Sequence, residues 1–291
     1  MIIVLTGPTG SGKSKLAIEL AKEIDAAIIN ADAFQVYKEL SIATAKPSEE
    51  ELFEVPSFLF DFIPLDSSYN VKEYQEDLRS AIATISPFKK NIIIAGGTGL
   101  YIRAGLYDYE FPDLPSVDMS KYQSLSDEDL FDLLKQVDPD SSLTIHPHNR
   151  VRILRALEIY FSTGTTKSNI IAKQNHEPIY DCLFFGLEKE RELNYEIVNK
   201  RVDEMFEKGL VEENKYLIDK YGRDRSAFKA IGVKELFPYF DGKITLEEAK
   251  ETIKKNTRHY IKRQMTFFSH QFKITWIKDK FDIMGRLNGY I

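Results

Sequence analysis

Apolar residues along this chain follow two rhythms. "IIVLT" at 2–6, "AAIIN" at 26–30 and "NIIIA" at 91–95 are short, β-branched and unbroken by polar alternation. Strands buried on both faces read this way. "SFLFDF" at 57–62 reads as a weaker strand. Between these runs the period lengthens. "KSKLAIELAKEI" sets Leu16, Ile18, Leu20, Ala21 and Ile24 against a polar face of Lys15, Glu19, Lys22 and Glu23, an amphipathic helix. "VKEYQEDLRSAIATI" reads as another, with Pro87 shortly after its end. Strands alternating with helices predict an α/β fold: a doubly wound, mostly parallel sheet with flanking helices. Ligands bind such sheets at the carboxyl ends of the strands.

From about Phe111 the pattern changes. "FPDLPSVD" is a proline-marked linker. "SDEDLFDLLKQV" has a Ser cap and an acidic first turn, and "HNRVRILRALEIYFSTG" is a helix that ends at Gly164. "DCLFFGLE" resumes the strands, helices follow over roughly 194–220, 226–240 and 245–270, and "KITWI" closes as a last strand. The expected organisation is a core of 1–110 and 180–291 with a helical insert at 111–179.

The 291 residues suffice for one large domain with an insert. The one cysteine, Cys182, excludes an intrachain disulfide and a cysteine metal cluster, and points to a reducing compartment. The first strand begins at Ile2, which leaves no room for a signal peptide. No apolar run approaches the ~20 residues of a membrane span, so a cytoplasmic protein is expected. The net charge of −6 argues against a polyanion as partner, but its distribution argues for one. Residues 1–145 carry 12 Lys and Arg against 24 Asp and Glu, whereas 146–291 carry 27 against 21. Either the second half meets a polyanion or the charges lie unevenly on solvated faces.

"GPTGSGKS", Gly7 to Ser14, matches the phosphate-loop pattern G-x-x-x-x-G-K-[ST] at every fixed position and lies between a strand and a helix. The loop of Gly7, Pro8, Thr9, Gly10, Ser11 and Gly12 would cradle phosphates with its backbone N–H groups. Lys13 would meet the terminal phosphates and Ser14 would hold Mg²⁺. Asp32 follows a strand end. It could orient an acceptor hydroxyl, take a proton from another nucleophile or only cap a turn; Gln35 and Tyr37 nearby favour function. "AGGTGLY" surrounds Thr98 with glycines that allow a ligand or another backbone to approach closely. The strand before it carries no terminal Asp, which weakens an ATPase reading. Arg150, Arg152 and Arg155 are either a phosphate-binding edge or a solvated helix face.

Taken in order, "GPTGSGKS", "DAFQVY", "TAKP", "GGTGLY", "HPHNRVRILRALE", "KGLVEE", "KAIGVKE" and "KRQMTFF" resemble the tRNA dimethylallyltransferases over about Met1 to Phe268. The resemblance implies a phosphate loop that holds dimethylallyl diphosphate and an insert that grips the anticodon stem-loop. It implies transfer of the dimethylallyl group to N6 of the adenine just 3′ of the anticodon, with Mg²⁺. It assigns Asp32 as the base, with Thr98 and Lys13 beside it in catalysis. Asp32, Ala33, Phe34, Gln35 and Thr98 would contact the adenine and its surroundings. Val151, Arg152, Ile153, Leu154 and Arg155 match the family's tRNA-contacting segment. The chain departs from the family at Ala43, where Gly is usual, at Ser57-Phe58 in place of a His-rich stretch, and at Val233 in place of Tyr. The insert is short between Pro115 and His146. A catalytic arginine of some members aligns near Lys229, which would bind the diphosphate. No segment calls for an obligate protein partner, and a monomer is expected. The rival readings are a P-loop kinase for a small molecule or nucleotide, and a nucleotide-dependent RNA-binding module without catalysis.

Overall fold

The unbroken apolar runs form the centre of one sheet. The computed structural model describes residues 1–174 and 176–287. In it β1 (Ile2–Thr6), β2 (Ala26–Asn30), β3 (Ser57–Phe58), β4 (Asn91–Ala95), β5 (Cys182–Leu187) and β6 (Thr275–Ile277) run parallel in the order β3-β2-β4-β1-β5-β6. Every residue of β1, β2 and β4 is buried, which is why these strands show no alternation. Ile3, Leu5, Ile28 and Ile93 share a core with Leu16, Leu20 and Ile24 of the α1 segment (helix Lys13–Glu23). Leu5 and Asn30 both lie beside Ala95, so the loops after β1, β2 and β4 leave the sheet at one end.

The helices on this sheet start where side chains cap them. α2 (Glu49–Phe53) and α3 (Val71–Ile85) each open with a capping box, from Ser48 with Glu51 and from Asn70 with Glu73. α4 (Gly99–Leu106) follows the glycine turn after β4.

The chain divides into two compact units, one from Met1–Leu106 together with the chain from Tyr180 onward, the other Tyr107–Ile179. The second unit holds α5 (Ser120–Gln123), α6 (Asp127–Val137), α7 (Pro139–Thr144), α8 (Arg150–Thr163) and α9 (Lys167–Ala172). Its own core is Leu130, Leu134, Ile145, Ile153, Ala156 and Leu157. Ser126 caps α6 ahead of Asp127, Glu128 and Asp129. Gly164 ends α8 at φ 69°. The carboxylate of the buried Asp138 accepts N–H groups of Ser141 and Ser168, tying α7 to α9.

Back in the first unit, the segment expected as one helix over 194–220 is two, α10 (Arg191–Glu207) and α11 (Leu210–Tyr221), broken where Gly209 takes φ 95°. The helix expected over 226–240 does not form. Two 3₁₀ turns, Ser226–Lys229 and Lys234–Leu236, lead into the short α12 (Phe237–Phe240). Gly232 at φ 96° interrupts the run. α13 (Leu246–Gln271) is long, as expected, and α14 (Lys280–Leu287) follows β6. A second apolar cluster joins Val36, Tyr37, Leu40 and Leu65 to Val202, Leu210, Phe228, Leu236 and Ile253, and so fixes α10 to α13 against the loop after β2. Among the described residues no helix is long and apolar enough to cross a membrane.

Candidate active site

β1 delivers the chain to Gly7 and α1 receives it at Lys13. Gly10 and Gly12 take φ 80° and 94°, values that favour glycine. Gly12 precedes α1 and supplies no side-chain cap, so the first-turn amides form an anion-binding end. The loop is braced from behind. Asn194 of α10 donates from Nδ2 to the Thr9 carbonyl at 3.3 Å. A Cβ on Gly10 would meet Val198 Cγ1 at 2.5 Å. Gln264 of α13, 4 % exposed, accepts the Thr9 N–H at 2.9 Å and donates from Nε2 to the Gly97 carbonyl at 2.9 Å. One side chain thus joins the phosphate loop to the turn that carries Thr98. The Thr9 N–H is taken by Gln264, and Ser11 is buried, which leaves the amides at the start of α1, Lys13 and Ser14 for the anion.

Asp32 is held by its neighbours. Its N–H donates to Asn30 Oδ1 at 3.0 Å, and its Oδ1 accepts from the N–H of Phe34 at 2.9 Å and of Gln35 at 3.3 Å. Oδ2 has no hydrogen bond among the described residues, so one oxygen caps the turn and the other remains for a ligand. Thr98 Oγ1 accepts the Ala33 N–H at 3.0 Å, which leaves its own proton to donate. Gln35 is buried and donates to the carbonyls of Thr44 and Ala45. A Cβ on Gly96 would come within 2.1 Å of the Ala31 carbonyl oxygen, so that position accepts no carboxylate side chain after β4.

Two chambers open at this end of the sheet. The first is lined by Thr9, Lys13, Ser14, Asp32, Gln35, Gly97, Arg201 and Gln264, with Ile18, Ile28, Leu52 and Phe60 forming an apolar part. The second, of about 210 Å³, is lined by Phe34, Val198, Val202, Met205 and Ile253, with Lys229, Tyr260 and Arg263. Thr9, Asp32, Thr44 and Arg201 line both.

The charges perturb one another. Burial pulls the Lys13 ammonium down to about 8, with Asp32 opposing and Arg201 adding to the shift. Burial also lowers Arg201, and Asp32 opposes it. The Tyr260 phenol is raised, first by burial and then by Asp32, while hydrogen bonds with Thr98 and Gln264 oppose.

The guanidinium beside Asp32 belongs to Arg201 of α10. Lys229 is exposed and lines only the second chamber. The sequence carried a signal for Arg201, since it shares a helix face with the buried Val198 and Val202. Gln264 likewise lies between the buried Ile261 and Phe268.

The expected tRNA segment lies on α8. Val151 is 79 % exposed, and Arg152 and Arg155 are exposed, Arg155 in an ion pair with Glu158 at 2.7 Å. Ile153 is fully buried in the core of the insert and Leu154 packs against it. Arg150 is committed to Asp127 at 2.7 Å and to the carbonyls of Gln123 and Leu125. Lys167, which sequence reasoning missed, stands beside Arg152 and Arg155. Burial and both guanidiniums lower it.

This geometry has relatives. The family model described as "IPP transferase" matches residues 35–271. A protein of Anoxybacillus flavithermus named tRNA dimethylallyltransferase is 46 % identical over 278 residues, covering 94 % of this chain and 89 % of its own. Its namesake from Bacillus subtilis is 41 % identical over 281 residues, covering 94 % and 90 %. Among solved structures, a tRNA isopentenylpyrophosphate transferase of Staphylococcus epidermidis superposes with a TM-score of 0.75 at 35 % identity, over 100 % of this chain and 99 % of that one. A eukaryotic dimethylallyltransferase described as acting on tRNA gives 0.82 at 27 % identity, over 99 % and 75 %.

Proposed function

Since the chain belongs to the IPP transferase family, we propose that the first chamber holds dimethylallyl diphosphate and the second admits the acceptor adenine of tRNA. The protein is a transferase that moves a dimethylallyl group from dimethylallyl diphosphate to tRNA. The relatives support this transfer and not the phosphoryl transfer of a kinase. The acceptor is the exocyclic N6 of the adenine 3′ to the anticodon, and the enzyme works in the cytoplasm.

The observation that supports the division is that Asp32 and Arg201 line both chambers. The C1–O bond of the substrate breaks as negative charge grows on the diphosphate. The α1 amides, Lys13 and Arg201 stabilise that charge. The dimethylallyl part rests against Ile18, Ile28, Leu52 and Phe60. N6 is a weak nucleophile, because its lone pair is delocalised into the ring. As the C1–N6 bond forms, Asp32 Oδ2 takes the departing proton. Thr98 holds Ala33 and the turn around Asp32 in place and can donate to the base. The base must leave its stack to enter, between Phe34 and Tyr260.

The Ser14 hydroxyl, exposed at the start of α1, suits Mg²⁺, which keeps most of its positions for phosphate oxygens and water. Bound there, the ion would neutralise charge on the leaving diphosphate.

Incubation with labelled dimethylallyl diphosphate and unmodified tRNA tests the proposal, followed by incubation with labelled ATP. Label in tRNA adenine, released by hydrolysis as the N6-alkylated nucleoside, is the expected result. Transfer of label from ATP with none from the prenyl donor would overturn it.

A further inference from the structure

Four residues of one turn, Lys229, Ala230, Ile231 and Lys234, line the second chamber. Gly232 lies between them and takes φ 96°. A glycine there has many paths open to it, so its own backbone does not fix the turn. Two buried side chains that line neither chamber do so instead. Glu235, 5 % exposed, accepts the Gly232 N–H at 2.9 Å and also accepts from Nδ2 of Asn256 at 2.8 Å. Asn214 of α11 is fully buried and donates from Nδ2 to the Gly232 carbonyl at 3.2 Å and to the Leu210 carbonyl at 2.7 Å. Both neighbours of that nitrogen are carbonyls, which fixes the way the amide faces. Asn256 belongs to α13, between Ile253 and Thr257, and both of these line the same chamber. One chain of hydrogen bonds therefore joins α11, the turn and α13.

Packing alone does not call for these residues. Their surroundings are apolar, with Leu210, Leu217, Phe228 and Leu236 in one buried cluster. Asn214 Oδ1 is buried without a hydrogen-bond partner among the described residues, a cost that a leucine there would not carry. A polar chain kept in an apolar core specifies one arrangement of the elements it joins. Glu213, beside Asn214, holds the loop at Ser41, Ile42 and Ala43, but Thr44 of that loop lines both chambers. Asn214 and Glu235 act on the wall of the second chamber alone.

We propose that Asn214 and Glu235 are positioning residues for the acceptor. By gripping the Gly232 peptide on both sides, they set the wall from Lys229 to Lys234 at the distance from α13 that the entering base needs. They touch no substrate themselves. The inference rests on the function proposed above, in which the second chamber admits the adenine of tRNA.

The test compares Asn214→Leu, Glu235→Leu and Glu235→Gln in the full chain. Glutamine can keep both bonds of Glu235, its oxygen to the Gly232 N–H and its NH2 to an Asn256 amide turned to present oxygen. Ile85→Ala is the control. Ile85 is buried at the end of α3 that precedes β4, on the side of the sheet away from the chambers, so it lowers stability without touching the wall. Single-turnover transfer is measured against tRNA concentration with dimethylallyl diphosphate saturating, well below each thermal midpoint. The tRNA concentration for half-maximal rate should rise roughly tenfold in both Leu variants, the scale of one lost buried hydrogen bond. The rate at saturating tRNA and the affinity for dimethylallyl diphosphate should stay at wild type. Glu235→Gln should restore wild-type half-saturation, and Ile85→Ala should lower the midpoint and leave half-saturation alone. Wild-type half-saturation in Asn214→Leu, an equal rise in the control, or loss of the fold in both Leu variants would overturn the assignment, since each describes residues that only hold the core together. Failure of the functional reading looks different, because then the wild-type protein itself transfers no dimethylallyl group to tRNA.

Discussion

The two chambers share a wall and little else. The first is built from backbone and charge. Its loop has one acceptable shape, set by glycines and fixed from behind by Asn194 and Gln264, and its lysine is shielded enough to titrate near 8. The second is built from side chains of α10 and α13, apolar within and basic at Lys229 and Arg263. A small, highly charged ligand is held by fixed dipoles that need no rearrangement. The function proposed above assigns a flat base to an apolar slot instead. Substitutions should therefore separate by place. Changes in the first chamber should act on the diphosphate, changes in the second on tRNA, and changes in the shared wall on the chemical step alone.

Asp32→Asn is the strongest way to break that comparison. Asn can keep both turn hydrogen bonds through its Oδ1, because Asp32 uses only one oxygen for Phe34 and Gln35. Fold and tRNA affinity should survive, and dimethylallyl diphosphate should bind as well or slightly better with one negative charge removed. The single-turnover rate with both substrates saturating should fall by roughly 10²–10⁴. If Asp32 were only a turn cap, the variant would transfer at close to the wild-type rate.

Much of this was legible in the sequence where the signal was local. β1, β2 and β4 and the α1 and α3 segments announced themselves by period. Ser126 and Gly164 marked helix ends by their own chemistry. What stayed hidden acts across long separations. Glu213 and Glu235 sit within recognisable motifs, but only the fold reveals their tasks. Glu213 accepts the N–H groups of Ser41, Ile42 and Ala43, and the buried Glu235 accepts from Gly232 and Asn256. Arg201 and Gln264 show the same limit. A polar residue on a buried helix face is visible in a sequence, but its partner is not. On α8 three arginines look alike in the sequence until Arg150 is seen paired with Asp127 and Arg155 with Glu158.

Gln264 offers a sharper cut, because its two hydrogen bonds join the phosphate loop to the Thr98 turn. Gln264→Leu leaves the Thr9 N–H without its partner and the Gly97 carbonyl with only the Tyr260 hydroxyl at 3.5 Å. Each buried group left unpaired costs about 1–3 kcal/mol, so thermal stability should fall. The phosphate loop and the Thr98 turn would then be free to shift relative to each other, and a displacement near 1 Å costs on the order of 10² in rate. Gln264→Glu keeps the acceptor for Thr9 and loses the donor to Gly97, and should lie between Leu and wild type in stability. A Leu variant with full stability and full single-turnover rate would show that the loop needs no brace.

The smallest effect tests the electrostatics of the first chamber on its own. Burial disfavours the charge of Lys13 and pulls its ammonium down from an ordinary 10.5 to about 8. In folding, this depressed value is a cost carried in full below about 8 and relieved as pH rises towards 10.5, where the unfolded chain also gives up the proton. Binding has the opposite sign. A diphosphate beside the ammonium favours the charged form, so the ligand raises the lysine's value and is bound with uptake of a proton. The ligand's own last phosphate ionisation, near 6, is complete before this window opens. Affinity for dimethylallyl diphosphate should therefore hold level from pH 7 to about 8, then fall by up to about tenfold for each further unit. Calorimetry in two buffers of different ionisation enthalpy should register the proton directly. Lys13→Arg carries a charge that does not titrate here, so its affinity should be level across the same range, whatever its absolute strength. A fall of equal steepness in the Arg variant would assign the titration to another group, and the first chamber would lose its claim to a shielded, ligand-sensing lysine.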